Sequence, residues 1–259
     1  MKPIAIIIVF LALSCTKTIT PALNTGATQL IIQGAISDTP GHYFVSIVNS
    51  TSFYTPNTYP GVSGAAVSIV DSTAGLRDIL TETTTAGVYT THSIVQGVSG
   101  HTYLLSATVN GKTYTASSTM PLPVALDSVT FDTSDTTHIT ARANYQDPPG
   151  IANYYKYGMV INGVVDKRFS IFEDRLSDGR YIRDKVDADT GEIRRNYTVQ
   201  LCLVGIDQYV AAYLREAADI AYNNGSLAAP ATPASNITGG CLGYFSAQTV
   251  SSKTRVVTW

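Results

Sequence analysis

Tyr103-Leu104-Leu105-Ser106-Ala107-Thr108-Val109-Asn110-Gly111-Lys112-Thr113-Tyr114-Thr115-Ala116-Ser117 reads as two strands folded about one two-residue turn. Asn110 and Gly111 both tolerate the positive φ that a type I′ turn demands. On either side of them apolar or aromatic residues recur at every second position, the period of a half-buried strand. Working outward towards the N-terminus, the same texture repeats in Leu30 to Ile36, Tyr43 to Val48, Ala66 to Val70, around Leu80, and in Val88 to Thr90. About seven short strands, with turn residues every 8–12 positions or so, predict an immunoglobulin-like β-sandwich over residues 28–120.

Met120-Pro121-Leu122-Pro123 closes that unit, because alternating prolines stiffen an extended connector and cannot donate to a ladder. Residues 124–259 read as a second β-sandwich. Its expected strands are Leu126 to Phe131, Ile139 to Tyr145, Tyr154 to Ile161, Val164 to Ile171 and Tyr197 to Ile206. A second Asn-Gly turn stands at Asn162-Gly163. Glu173 to Arg195 reads as a long polar loop, and Leu227 to Thr238 as a small-residue, proline-bearing one. Between them Asp207 to Asn224 carries a helical stripe of Val210, Tyr213, Leu214, Ala217, Ala218 and Ala221, with Asp207 placed as its cap. Leu242 to Ala247 opens a terminal strand pair. The expected fold class is therefore mainly β: two sandwiches, the second covered by one α-helix.

The N-terminus carries a different message. Lys2 is followed by the apolar run Ile4 to Leu13, at about ten residues half of what a bilayer requires, and this is the pattern of a cleaved secretory signal over residues 1–14. Leu11-Ala12-Leu13-Ser14-Cys15 resembles the lipobox of bacterial lipoproteins. That resemblance implies cleavage before Cys15, acylation of Cys15 with palmitate-type chains, and a tether over residues 15–27. Two or more chains suffice for stable anchoring. Thr16-Lys17-Thr18-Ile19-Thr20 lacks an acidic cluster, which leaves the facing of an outer-membrane anchor, periplasmic or cell-surface, undecided.

Of the 259 residues only 14% are charged, and the formal net charge is −2, so polarity rests on Thr and Ser and there is no electrostatic case for nucleic acid. The four histidines show no metal-ligand spacing, and no Gly-x-Ser-x-Gly elbow occurs. Asp187-Ala188-Asp189-Thr190-Gly191-Glu192 is only half a calcium loop. Cys202 and Cys241 are available for a disulfide in an oxidising envelope, and the alternative is two separately buried thiols. Asp174, Arg175, Asp178, Arg180 and Tyr181 form the densest charged stretch. Its two readings are a partner-binding loop and a loop whose side chains fix its own backbone. The aromatic loop Phe53 to Pro60 divides the same way, between contact and packing. No catalytic residue, metal or cofactor is expected, and the chain is not expected to be an enzyme.

The segment Val62 to Tyr114 is similar to the carboxypeptidase-regulatory type of sandwich. More of the chain resembles the domain-of-unknown-function 4249 lipoproteins of Gram-negative envelopes. The motifs are Asp147-Pro148-Pro149-Gly150 with Asn153-Tyr154-Tyr155, Glu173-Asp174-Arg175-Leu176 with Asp178-Gly179-Arg180-Tyr181-Ile182, and Pro233-Ala234-Ser235-Asn236-Ile237 with Leu242-Gly243-Tyr244-Phe245-Ser246-Ala247. Gly61-Val62-Ser63-Gly64-Ala65, Gly87-Val88-Tyr89 and Gly111 to Ala116 extend the likeness into the first unit. It implies a lipid-anchored outer-membrane protein with a non-catalytic binding or accessory role beside a TonB-dependent receptor or another envelope complex. The alternatives are a structural or adhesive surface protein and an enzyme whose site is scattered in sequence.

Overall fold

The computed structural model describes residues 28–51, 59–135, 138–188, 193–222 and 232–258. In chain order the first strands are β1 (Leu30–Ser37), β2 (Phe44–Asn49), β3 (Ala66–Asp71), β4 (Leu76–Glu82), β5 (Val88–Thr90), β6 (Thr102–Val109) and β7 (Lys112–Thr119). They are followed by β8 (Ser128–Asp132), β9 (Thr140–Gln146), β10 (Tyr154–Ile161), β11 (Val164–Val165), β12 (Ser170–Glu173) and β13 (Tyr181–Val186). Then come β14 (Thr198–Ile206), the helix α1 (Gln208–Tyr222) and β15 (Leu242–Val256). The protein is mainly β, with one α-helix among the described residues.

Both expected Asn-Gly turns form. Asn110 and Gly111 sit at φ 48° and 80°, and Asn162 and Gly163 at 49° and 81°, the paired positive values of a type I′ hairpin. Alternation then decides the faces. In β6, Tyr103, Leu105, Ala107 and Val109 are buried while Thr102, Leu104, Ser106 and Thr108 turn outward. The first core gathers those residues with Ile32 and Ile36 of β1, Val45 and Ile47 of β2, Val67 and Ile69 of β3, and Tyr89 of β5. Burial of such side chains stabilises by about 1.5–3 kcal/mol each.

The second core lies between the β13-β9-β8 sheet and the strands β10 and β14. It holds Tyr145, Tyr155, Tyr157, Met159, Leu201 and Leu203, all 2% exposed or less. Along β14 the two faces are both apolar: Val199, Leu201 and Leu203 enter this core, whereas Cys202, Val204 and Ile206 lie under α1. Val210, Ala211, Tyr213 and Leu214 supply the helix side of that third layer. Asp207 caps α1 as expected, its Oδ1 accepting from the N–H groups of Tyr209 and Val210, both at 2.9 Å.

Three expectations about the second half are corrected. Leu242 onward is not a strand pair but one 15-residue strand. Its first half runs parallel to β1, from Ile31 opposite Leu242 to Ser37 opposite Gln248. Its second half runs antiparallel to β14, from Gly205 opposite Thr249 to Thr198 opposite Val256. Ile237, Cys241, Phe245 and Ala247 accordingly belong to the first core although they lie far beyond Pro123. A division into residues 28–120 and 124–259 is thus crossed by the last strand. The second correction is that the polar stretch Glu173 to Arg195 contains a strand, β13, pairing with β9 from Tyr181 opposite Gln146 to Val186 opposite Ala141. Its alternation was hidden because Asp184 occupies an inward position. Third, Val164 to Ile171 breaks into β11 and β12 instead of running as one strand.

Candidate functional site

The loop Asp147-Pro148-Pro149-Gly150 leaves the end of β9, and the stretch Asp174 to Arg180 joins β12 to β13. These two are locked together by carboxylates. Asp147, fully buried, accepts from the Tyr155 hydroxyl at 2.7 Å and from the Gly179 N–H at 3.1 Å. Asp178 reaches back across the same junction to accept from the Gly150 N–H at 2.7 Å. Asp174, 3% exposed, accepts from the Asn153 N–H at 3.0 Å. Gly179, at φ 68°, packs so closely on Pro149 that a Cβ there would stand 2.8 Å from the proline ring. The two stretches that carried the family likeness are therefore one structural unit.

The three aspartates bring carboxylate oxygens within 4.8 Å of one another, and this is the one His/Cys/Asp/Glu group of that kind among the described residues. Each carboxylate already holds a backbone N–H. Calcium takes about six to eight oxygen ligands, so three engaged carboxylates are far short of a cation cage. Burial, and then the neighbouring charges of Asp174 and Asp178, push the Asp147 carboxyl above its ordinary range despite its two donors.

Behind this junction stands a tyrosine layer. The Tyr145 and Tyr157 hydroxyls share a hydrogen bond of 2.7 Å, and Tyr157 donates to Asp184 at 3.0 Å. The rings of Tyr145 and Tyr155 meet edge to face at 5.2 Å, and Phe172 stacks on Tyr155 at 6.3 Å. Burial raises all three tyrosine hydroxyls, and it raises Asp184 as well. These rings belong to the second core.

Of the five residues expected in a partner-binding loop, Asp174 and Asp178 are backbone clamps. Arg175, with its side chain 77% exposed, lies on the surface in an ion pair of 2.8 Å with Glu173, which also binds Arg215 of α1 at 3.0 Å. Arg175, Arg180 and Tyr181 line a groove of about 530 Å³ beside β13. A second groove of about 700 Å³ lies over β8, β9 and β13 and shares Tyr181 and Arg183 with the first. Asp184, Arg142 and Arg183 carry no signal of their own in the sequence, and Asp147 stands there only as part of a motif. The one signal for Asp147 was its place at the head of a Pro-Pro-Gly turn.

The second loop is placed elsewhere. Ile237 inserts into the first core and bridges to Ala116 of β7, and Asn236 clamps both the N–H and the C=O of Phe245. The described part of this loop, residues 232–238, thus packs against the first core and β15. Cys202 and Cys241 are free thiols in different layers, the first under α1 and the second in the first core, which is the reading of two separate thiols and not of a bridge. Burial pushes both thiols up. Cys15 lies outside the described residues, as do residues 53–58 of the aromatic loop and residues 189–192 of the half calcium loop.

Fold and site together define a two-core β-protein whose second sandwich ends in a carboxylate-locked loop junction. The chain belongs to the family described as Domain of unknown function (DUF4249), matched over residues 16–254. Among curated proteins no match is found. Among solved structures it is similar to a two fibronectin type-III domain segment from chicken tenascin, at 12% identity and a TM-score of 0.22, covering 69% of this chain and 90% of that one. The fold described here rests on the strands and cores, not on that likeness. No described helix is long and apolar enough to cross a membrane.

Proposed function

We propose that the protein is anchored to the outer membrane through lipid on Cys15 and serves a non-catalytic binding or accessory role beside a TonB-dependent transporter or another envelope complex. The observation that supports the binding role is the loop junction. Its carboxylates are spent on backbone N–H groups, which makes the loop a rigid mount, and Arg175, Arg180 and Tyr181 line a groove beside it. Such preorganised loop ends on a rigid scaffold are where recognition residues collect, because little conformational entropy is lost on binding.

The test is affinity capture from native membranes with the lipid intact. Wild type should retain a defined envelope partner, and Arg175→Ala with Arg180→Ala should lose it at unchanged melting temperature. Cys15→Ala should move the protein to the soluble periplasmic fraction. Capture that is indifferent to the arginine pair would sink the placement of the binding surface, and an unacylated mature chain would sink the anchor.

A further inference from the structure

The outer face of the β13-β9-β8 sheet concentrates positive charge in a chain that carries little charge of any kind. Two cross-strand rows define it. Lys185 stands opposite Arg142, which stands opposite Thr130. Arg183 stands opposite Asn144, which stands opposite Ser128. Like charges directly opposite each other in a ladder are destabilising, yet Lys185 and Arg142 occupy such a pair. Only Arg142 is compensated, by Asp132 at 2.7 Å. Arg183 and Lys185 have no ion pair among the described residues, since Asp184 between them points to the opposite face, where it meets Tyr157. The Arg183 guanidinium lies over the Tyr181 ring, 5.5 Å from its centroid, which holds it at the groove rim.

We infer that this face is a binding site for a carboxylate-bearing polysaccharide. The inference rests on the binding role proposed above and names a ligand class for the larger groove. Two cations on one strand face, Arg183 and Lys185, unpaired among the described residues, supply the charge complementarity, because an anion laid along them brings the counter-charge that the fold gives only to Arg142. Arg183 and Lys185, two residues apart on one strand face, are spaced by about 6.6–6.8 Å, which presents a repeated cation to a repeated anion. At the β8 end of the two rows the groove is lined by the hydroxyls of Ser128 and Thr130, which can donate to and accept from sugar hydroxyls. The volume, about 700 Å³, falls within the usual range for ligand sites.

The experiment uses the full lipidated chain held in neutral phosphatidylcholine vesicles, with polygalacturonate as the probe. Uncharged dextran and poly-glutamate serve as comparisons. Wild type should bind polygalacturonate, bind it more weakly as salt shortens the screening length, ignore dextran, and prefer the sugar polymer to poly-glutamate. Arg183→Gln with Lys185→Gln should weaken polygalacturonate at least tenfold. Because the change relieves like-charge repulsion, its melting temperature should equal or exceed that of wild type. Lys112→Gln with Lys253→Gln, which removes two cations from other faces, should leave binding unchanged. No binding of polygalacturonate, equal or better binding of poly-glutamate, or an equal loss in the control pair would overturn the proposal. If envelope-partner capture through Arg175 and Arg180 persists while polygalacturonate is not bound, the ligand class fails and the accessory role stands.

Discussion

The Tyr155 hydroxyl donates to Asp147 Oδ1 at 2.7 Å, with Tyr155 1% exposed and Asp147 fully buried. This pair ties the tyrosine layer of the second core to the loop junction that carries the candidate site. Tyr155→Phe keeps the ring and removes the donor, leaving a buried carboxylate with the Gly179 N–H alone. The expected loss is about 1–3 kcal/mol, read from denaturant unfolding.

The pH dependence of that loss has a definite sign. Burial raises Asp147 in the folded state, so the folded chain binds this proton more tightly than the unfolded chain. The contribution is fully present below the ordinary carboxylate range and is lost as pH rises through the raised pKa. Tyr155 is one of the groups holding Asp147 down, so its removal raises Asp147 further. The deficit of Tyr155→Phe should therefore be larger near pH 7 than near pH 4. A deficit independent of pH would mean that the hydroxyl does not bear on the charge of Asp147.

Asp132 acts in the opposite direction. The Ser134 hydroxyl, and then Arg142, lower its pKa from 3.8 to about 2. Its contribution is present above 3.8 and is lost as pH falls through about 2. In Asp132→Asn the melting temperature should fall less steeply across that window than in wild type. An unchanged acid limb would show that these hydrogen bonds do not persist in solution.

The shared strand β15 predicts cooperativity. At Gly243 the backbone adopts φ 100°, and a Cβ would overlap the carbonyl oxygen of Ile32. Where β15 passes β7, the Ala247 N–H donates to Ser118 Oγ at 2.8 Å, and the Ser118 hydroxyl donates to the Asp207 carboxylate that caps α1. One strand and one serine thus couple both cores and the helix. Thermal unfolding should show one transition for the two units, and Gly243→Ala should cost more than about 3 kcal/mol. Two resolved transitions would mean that the sandwiches are separable despite the common strand.

Thiol counting bears on both the anchor and the free cysteines. With Cys15 acylated, the denatured mature chain should titrate two thiols, Cys202 and Cys241, and in the native state both should react slowly because burial disfavours the thiolate. A count of zero would establish the bridge that the fold does not form.

Local chemistry explains which parts of this structure are legible in the sequence. The hairpins at Asn110-Gly111 and Asn162-Gly163, the capped helix after Asp207 and the strands β1 to β10 each carry their own signal within a few residues. The double role of β15 does not, since Leu242 to Val256 alternates acceptably whichever neighbour it chooses, and the choice is made by non-local packing of Phe245 and Ala247. Strand β13 was obscured by Asp184, an inward charge whose compensation by Tyr157 lies 27 residues away in the chain. The site suffered the same way. Asp174, Arg175, Asp178, Arg180 and Tyr181 were found as a charged stretch, but their roles depend on Gly150 and Asn153, which only the fold brings near.

That division of roles yields the sharpest prediction about the loop. Asp178 accepts from the Gly150 N–H at 2.7 Å, whereas Arg175 spans only to Glu173 from an exposed position. Asp178→Ala should therefore lower stability, by about 1–2 kcal/mol for a charge-assisted bond to backbone, and should loosen the junction between the Pro-Pro-Gly turn and β13. Arg175→Ala should leave stability within about 0.5 kcal/mol of wild type, as exposed ion pairs contribute little, while weakening partner capture. Measured separately by denaturant unfolding and by membrane pull-down, the two variants should part company: one loses stability, the other loses its partner. If Arg175→Ala is the destabilising member and Asp178→Ala the neutral one, the loop is not the rigid mount described here, and the recognition surface must be sought away from it.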